Sequence, residues 1–294
     1  MSNLFNSRRK FIQALGFAGA SVSGYLLADE TGKEIKEPLV RVVNRPDLVA
    51  RKETHPLDPA LQIAREGLEN LHNNVADYEC TLIKRERTGV ELHDYEYMFA
   101  RIRNRKVENG RVVTPLSVYL RFLKPDTMKG REVLWVEGKN NSKLLAHEGG
   151  RLGSITPSVW LVPDAPLAMR GNRYPITEVG IENLVTKLIE KGERDRKQDE
   201  CEVNMFKDSK INGRPCTLLE VKHPTARPYF DFHIAQIYID NELNVPIRYA
   251  AYSWPEHGDE KPVLLEEYTY LNMKLNVGLT DADFDDHNKK YNFR

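Results

Sequence analysis

Hydrophobic residues recur at helical spacing in one segment of the chain. Six apolar side chains follow one another at steps of three or four residues: Leu57, Leu61, Ala64, Leu68, Leu71 and Val75. Such steps place all six on one face of a helix. Asp58 is a residue type that caps helices, and Pro59 suits the first helical position. The pattern predicts a helix over 57–75 whose apolar face needs a sheet or a second helix to cover it.

An alternation with a period of two follows directly. Tyr78, Cys80 and Leu82 share one face of an extended chain, and Glu79 and Thr81 share the other. Further runs of strand character cover residues 95–103, 117–123, 132–137, 143–147, 202–206, 216–221, 233–239, 247–254 and 264–275. About ten strands joined by short turns predict an antiparallel meander rather than alternating strands and helices.

A second helical pattern interrupts the strands. Thr177 is placed to cap a helix, Gly192 fits its stop position, and one apolar stripe lies between them: Ile181, Leu184, Val185, Leu188 and Ile189. The pattern therefore predicts a helix over 177–191. The preceding loop, residues 149–175, contains four prolines. Loops of this length in a compact domain are often lids or binding elements.

The first residues carry a pattern typical of export signals. Arg8 and Arg9 precede an aromatic and an aliphatic residue, which resembles the twin-arginine export motif. The apolar stretch 11–28 is diluted by glycine and serine, as in a signal peptide rather than a membrane span. Ala28 supplies a small residue at the cleavage position.

These features predict a domain organisation and an address. We expect a signal peptide over 1–28, a proline-containing linker over 29–56 and a single domain over 57–294. The expected location is the periplasm, with the twin-arginine translocase as the partner during export. Two alternatives remain open, namely an uncleaved N-terminal anchor and a basic N-terminus before a short helix.

The charge balance argues against several partners. The 294 residues include 43 Lys and Arg against 43 Asp and Glu, so the chain lacks the basic excess typical of nucleic-acid binding. Removing residues 1–28 takes away three basic residues and no acidic one. The mature chain is then slightly acidic and gives no reason to expect binding to an anionic membrane surface.

The cysteines do not form an obvious disulfide or metal site. The candidate pair is Cys201 with Cys216, but Asn212-Gly213 predicts a tight hairpin turn between them. Such a turn places Ser209 opposite Cys216, so a bond to Cys201 requires an irregular hairpin. The spacing of all three cysteines matches no zinc pattern.

Motifs that carry known chemistry are missing from the sequence. The chain has no GxSxG, HExxH, Walker or GxGxxG motif, and we predict no cofactor, no metal and no enzymatic activity. His223, His233 and His257 have no ligand spacing and are interpreted as surface or rim residues. The acidic residues between 281 and 286 are interpreted as a solvated C-terminal cap.

Several strings resemble an exported bacterial family catalogued as domain of unknown function 1571. The resemblance covers residues 55–294 and rests on Asp77-Tyr78, Lys84-Arg85-Glu86-Arg87, Gly130-Arg131-Glu132-Val133, the segment 168–177, Glu266-Glu267-Tyr268-Thr269-Tyr270 and the segment 275–280. The segment 172–180 is its most specific part. Membership of this family implies no activity.

A wider resemblance implies a fold. The strand 118–122 ending at Pro125, the string 134–138, and the strand 237–240 answered by 245–248 are similar to the periplasmic lipoprotein carriers LolA and LolB. This resemblance implies an α+β fold in which a strongly curved antiparallel sheet forms a half-barrel. Its helices close the mouth over an apolar cavity that takes acyl chains. Here the loop 149–175 and the helix 177–191 are expected to supply part of the lid.

The leading hypothesis is an exported, non-enzymatic binding protein or carrier for an apolar or lipid-like ligand, such as a lipid or a lipoprotein acyl chain. The residues expected to line its cavity are Leu82, Leu120, Phe122, Val133, Trp135, Ile237 and Ile239. The same side chains could instead form a filled core against the two helices. A cell-envelope interaction or sensor module and a hydrolase with an unfamiliar site are the other hypotheses.

Overall fold

The computed structural model describes residues 40–41, 55–153, 155–256 and 260–294. Arg8, Arg9 and Ala28 of the predicted export signal, most of the predicted linker, and His257 lie outside these residues. Within the described ranges, no helix is both long enough and apolar enough to cross a membrane.

Strands dominate the described part of the chain. They are β1 (Val40–Arg41), β2 (Asp77–Thr88), β3 (Glu91–Leu92), β4 (Glu96–Arg103), β5 (Lys106–Glu108), β6 (Arg111–Thr114), β7 (Ser117–Lys124), β8 (Glu132–Val136), β9 (Leu144–His147), β10 (Val159–Leu161), β11 (Glu202–Ile211), β12 (Arg214–Lys222), β13 (Ile234–Asp240), β14 (Pro246–Ser253) and β15 (Val263–Leu275). The helices are α1 (Asp58–Asn74), α2 (Gly150–Gly153) and α3 (Ile181–Asp195). Two residues of the predicted linker therefore form a strand.

One curved antiparallel sheet organises the fold. Its strand order is β1-β11-β12-β13-β14-β15-β2-β4-β7-β8-β9-β10, with β3 on β2, and its two ends do not pair, so the sheet stays open. Register shifts interrupt several pairings, including β15 with β2 between Leu271 and Lys274. Such bulges bend strands and increase their twist. The predicted α+β half-barrel is confirmed.

The two faces of the sheet have different covers. On the concave face, α1 and α3 pack over β12 to β15, where Leu61 joins Leu219, Ile237 and Tyr249 in one apolar cluster. On the convex face, the C-terminal residues cover β7 to β9. There the ring of Tyr291 stacks on Tyr119 with centroids 4.0 Å apart. The helix predicted over 57–75 therefore finds the sheet that its apolar face requires.

The helix ends differ from the sequence prediction. At α1 the N-cap is Leu57, and Asp58 is already helical, so Asp58 is not the cap. The predicted cap Thr177 lies in a short 3-10 turn, Ile176–Glu178, and α3 begins after Gly180. Gly180 has a φ of 124°, a conformation that other residues rarely adopt. The N–H of Ile181 donates to the buried Tyr78 hydroxyl at 2.9 Å, so α3 is fixed to the sheet.

Gly192 does not end α3, which continues to Asp195. Its role is contact between helices. A Cβ on Gly192 would lie 2.8 Å from Cδ2 of Leu61 in α1, which is closer than carbon atoms pack. The predicted stop signal at Gly192 was wrong because glycine occurs both after helix ends and at close contacts between helices.

The hairpin between β11 and β12 has the predicted register. Ser209 pairs with Cys216, while Glu202, the residue after Cys201, pairs with Lys222. Cys201 and Cys216 are both free thiols, as is Cys80. The disfavoured disulfide is therefore not formed.

The acidic residues between 281 and 286 lie on the convex face as the predicted C-terminal cap, and none of their side chains is buried. Asp281 accepts a hydrogen bond from the Arg103 guanidinium at 2.8 Å, and Asp283 forms a capping box with Thr280. Glu132 is fully buried and accepts two hydrogen bonds from Asn292. These polar contacts complete the apolar packing of the C-terminal residues.

Candidate ligand-binding cavity

A cavity of about 540 Å³ lies between the concave face and the lid loop, the name used below for residues 149–175. Leu82 and Met98 are cross-strand neighbours in its wall, and Met98 also pairs with Phe122. Leu120 pairs with Val133 in the same wall. Cross-strand partners share a face, so the strands themselves bring these apolar side chains together.

The lid loop and α3 close this cavity from the other side. Strand β10 of the lid loop pairs with β9. At Gly149, the first residue of the lid loop, the backbone packs directly against the backbone of residues 129–131, because a Cβ there would lie 2.2 Å from the Lys129 carbonyl oxygen. The lid loop, the short segment that follows it and α3 contribute mainly apolar residues to the lining: Pro157, Val159, Leu161, Pro163, Leu167, Ala168, Ile176, Val179, Leu184 and Leu188. The loop that the sequence marked as a lid thus covers the cavity.

The seven residues predicted to line a cavity do not all reach this one. Leu82, Leu120, Phe122 and Val133 line it. Two of the others, Ile237 and Ile239, line a second cavity of about 390 Å³ beneath α1. Trp135 belongs to neither lining: it is buried, and its indole N–H donates to the Ser142 carbonyl at 3.2 Å.

Sequence reasoning missed a set of tyrosines in the cavity wall. Tyr249, Tyr268 and Tyr270 line the cavity, and the rings of Tyr249 and Tyr268 are parallel with centroids 6.3 Å apart. The strand pattern of 247–254 and 264–275 indicated that these tyrosines lie on strands. Pairing β15 with β2, which are far apart in sequence, was needed to show that these rings face Leu82 rather than solvent.

One side of the cavity wall is polar. Glu86 and Glu266 are both buried, and each accepts hydrogen bonds from the lid loop. Arg173 donates from its backbone N–H to Glu86 at 3.0 Å and from Nε to Glu266 at 2.7 Å. The hydroxyl of Tyr174 donates to Glu266 at 3.2 Å. These bonds fix the lid loop to β2 and β15.

Lys84 completes the polar wall. Its ammonium group lies 3.1 Å from Glu96 and 3.4 Å from Glu86, and it donates to the side-chain oxygen of Asn172 in the lid loop. The hydroxyl of Tyr268 also donates to Glu86. Charged groups taken out of water need such partners. Glu86, Glu96 and Tyr268 supply them within the sheet, and Asn172 supplies the contact with the lid loop.

The surroundings of Tyr174, Tyr268 and Arg173 keep each of these side chains in one protonation state at neutral pH. Burial raises the pKa of both Tyr174 and Tyr268 above the ordinary tyrosine value, and the nearby Glu266 carboxylate adds to the shift. Both tyrosines are therefore neutral donors at physiological pH. Burial alone lowers the pKa of Arg173, but the Glu266 carboxylate raises it overall, so Arg173 stays charged.

The thiols are not activated nucleophiles. Burial raises the pKa of Cys201 and of Cys216 to about 11, and it raises the pKa of Cys80 further. A thiol in that range is protonated at neutral pH, whereas the thiolate is the reactive form.

Two predicted surface histidines are in fact buried. His223 is fully buried, stacks on Phe230 with centroids 3.8 Å apart, and donates from Nδ1 to the Phe232 carbonyl at 3.1 Å. His233 donates from Nδ1 to the His223 carbonyl at 2.8 Å. Their interpretation as surface or rim residues was wrong because both imidazoles are buried, and each donates to a backbone carbonyl in the segment between β12 and β13.

One group of potential metal ligands occurs in the described ranges. Asp285, Asp286 and His287 offer atoms within 4.8 Å of one another, near the C-terminus. These side chains belong to none of the cavities described here. Such an exposed acidic group carries no assignment.

The model of the family described as "Protein of unknown function (DUF1571)" matches residues 75–293. The chain belongs to this family. The expected membership is thereby confirmed. None of the curated proteins compared with the chain matches it.

Solved structures with a similar chain course are distant in sequence. A putative outer membrane lipoprotein-sorting protein domain from Vibrio parahaemolyticus has 14% identity and a TM-score of 0.36, over 76% of this chain and 95% of that one. A LolA superfamily protein from Nitrosomonas europaea has 11% identity and a TM-score of 0.31, over 76% and 97%. A DUF1329 family protein from Desulfovibrio piger has 11% identity and a TM-score of 0.38, over 79% and 98%.

In this DUF1571 chain, three strings that carry the family resemblance meet at the polar wall. The first supplies Lys84 and Glu86 from β2, the second Glu266 and Tyr268 from β15, and the third Arg173 with its neighbours in the lid loop. The strings are far apart in sequence, and the antiparallel pairing of β2 with β15 brings the first two together. The residues that carry the family resemblance in these three strings therefore attach the lid loop to the sheet beside the cavity.

Proposed function

We propose that this protein is an exported, non-enzymatic binding protein or carrier for an amphipathic, lipid-like ligand, which it holds between the curved sheet and the lid loop. The observation that carries the proposal is the cavity itself. It is about 540 Å³ in volume and mainly apolar, with a polar wall formed by side chains such as Glu86 and Glu266. Ligand sites commonly measure about 300–1,000 Å³ and combine apolar walls with a few placed polar groups.

The physical basis of binding is the burial of apolar surface. Removing hydrocarbon from water contributes about 25 cal/mol per Å². Aliphatic and aromatic side chains of the strands, such as Met98 and Phe122, would contact a hydrocarbon chain directly. The polar wall would orient the other end of the ligand. Its carboxylates already hold the lid loop, which supports a role in binding and closure rather than in proton transfer.

Filling the cavity tests this function. Ala146 lines the cavity from β9. Ala146→Trp should reduce the affinity for an environment-sensitive fluorescent fatty acid at least tenfold, because the indole occupies the space of the hydrocarbon chain. Each methylene group that is no longer buried costs about 0.8 kcal/mol of binding free energy. Ala282→Trp, at an exposed position outside the cavity, is the matched control and should bind like the wild type. Equal binding by all three proteins, or none by the wild type, would refute the proposal.

The export part of the proposal rests on the arginine pair. Arg8→Lys with Arg9→Lys should leave the precursor in the cytoplasm, since a receptor that reads guanidinium groups accepts lysine poorly. Fractionation measures this directly. Undiminished periplasmic protein in the double variant would rule out this export route.

The interaction-module hypothesis also has a specific observation in its favour. The lid loop exposes apolar side chains, including Ile155, Trp160 and Leu167, and β10 forms an end of the sheet. Exposed apolar patches and unpaired strand edges are common features of protein contacts. Ile155 and Trp160 lie outside the cavity lining. Trp160→Ser with Ile155→Ser should abolish capture of an envelope partner under this hypothesis and leave fatty-acid binding unchanged under the leading one.

A further inference from the structure

A second apolar cavity adjoins the larger one across α3. It has a volume of about 390 Å³ and lies beneath α1, with Val185 of α3 and Ile237 of β13 in its lining. Leu184 lines the larger cavity from the same helix. Leu188 and Lys191 line both, so α3 is the partition between the two.

Gly67 keeps the second cavity open. It lies in the middle of α1 and lines this cavity, and a Cβ added there would meet no atom within 4 Å. Glycine destabilises a helix interior relative to alanine. Packing explains Gly192, where a Cβ would collide with Leu61, but it does not explain Gly67. The absent side chain leaves this part of the cavity unfilled.

A third, polar cavity meets the other two at Lys191. It measures about 220 Å³, and its lining includes the charged side chains of Arg173, Lys191, Asp231 and Glu266. Lys191 lines all three cavities, and its ammonium group lies 3.6 Å from Asp231. Two apolar compartments and one polar compartment thus converge on one residue.

We propose that the cavity beneath α1 is a second chain-binding compartment, and that the ligand is an amphiphile with two hydrocarbon chains. One chain lies on each side of α3, and the polar group that joins them lies at Lys191. The inference rests on the proposed function. The chemistry that fits is a diacylglyceryl group, which occurs in phospholipids and in lipid-modified cysteine peptides.

Titration calorimetry with short-chain ligands tests the two-chain assignment. The probes are octanoyl lysophosphatidylglycerol, dioctanoyl phosphatidylglycerol and a peptide that carries a dioctanoylglyceryl cysteine. The wild type should bind both two-chain probes about tenfold or more tightly than the one-chain probe, because a second buried chain removes more apolar surface from water. The two-chain probe that binds more tightly identifies the source of the ligand.

Gly67→Leu should remove this advantage and leave one-chain binding intact, because leucine fills only the second cavity. Ala64→Phe, in the same lining, is a second plug in case the first variant does not fold. Glu69→Leu places the same side chain on the exposed face of α1 and should behave like the wild type.

The outcomes separate this inference from the function on which it rests. A wild type that binds no probe overturns both. A wild type that binds one-chain and two-chain probes equally, or a folded Gly67→Leu protein that keeps the advantage, overturns the two-chain inference alone. Loss of the advantage in both plug variants supports it.

Discussion

Replacing Arg173 with alanine removes the side chain that connects the lid loop to two strands. Its Nε donates to Glu266 at 2.7 Å, and its Nη1 donates to the Arg87 carbonyl at 2.9 Å. Glu266 is only 3% exposed, so water does not replace the lost donor freely. The backbone N–H of residue 173 still reaches Glu86 in the variant.

The structure sets the size of the effect. Removing one partner of a buried ion pair costs about 3–5 kcal/mol. The Arg173 side chain is 30% exposed, and Tyr174 continues to donate to Glu266, so the lower end of that range applies. We therefore expect a loss of about 3 kcal/mol, which corresponds to a melting temperature lower by roughly 6–12 °C for a domain of this size.

Urea unfolding of matched variants measures this loss. Arg173→Lys keeps the charge but not the forked geometry and should lie between the wild type and Arg173→Ala. Glu266→Gln should be less damaging in the Arg173→Ala background than alone, because the carboxylate has then already lost its guanidinium partner. A loss below 1 kcal/mol for Arg173→Ala, the value of a surface ion pair, would refute the assignment of Arg173 as the attachment of the lid loop.

Three further predictions concern packing, pH and the cavity wall. Gly67→Ala should stabilise the protein by about 1 kcal/mol, because alanine favours a helix interior more than glycine does. Gly192→Ala should destabilise it by about 1–3 kcal/mol, because the added Cβ collides with Leu61. Equal shifts in melting temperature would contradict the two assignments. Burial lowers the pKa of His223, so the unfolded chain binds its proton first and the free energy of unfolding should fall as the pH is lowered from 7.5 to 5.5. Thermal melts of His223→Phe should not show this loss. Phe122→Glu should stay folded and lose fatty-acid binding, because Phe122 lines the cavity. Trp135→Glu buries a charge away from either apolar cavity and should lower the free energy of unfolding by several kcal/mol in the same melts. A folded Trp135→Glu protein that has lost binding would contradict the placement of Trp135.

Local patterns in the sequence were sufficient for the elements and for one register. The alternation in 78–82 and the aromatic and aliphatic run in 117–123 mark strands. Asn212-Gly213 indicates the turn that pairs Ser209 with Cys216. Short strands such as β3 and β10 were not predicted, because two or three residues are too few to show a period of two. The helix ends were misplaced because Gly180 and Gly192 are defined by tertiary geometry rather than by local capping.

The cavity was only partly predictable for a related reason. A period of two places Leu120 and Trp135 on the concave side, but it does not reveal how far along the strand the lid loop reaches. Trp135 lies beyond the lining, and Ile237 lies beneath a different helix. The polar wall depends on the pairing of β2 with β15, which joins residues about 180 positions apart. No local pattern contains that information.

The location of a bound chain tests the central claim most directly. A fatty acid that carries a photoreactive diazirine on its hydrocarbon chain can be crosslinked to the purified protein and mapped by peptide mass spectrometry. We predict crosslinks to the concave strands and the lid loop, including the peptides that contain Met98, Phe122 and Leu167, with loss of these crosslinks in Ala146→Trp. Crosslinks confined to the exposed surface, or unchanged in Ala146→Trp, would contradict a ligand-binding cavity beneath the lid loop.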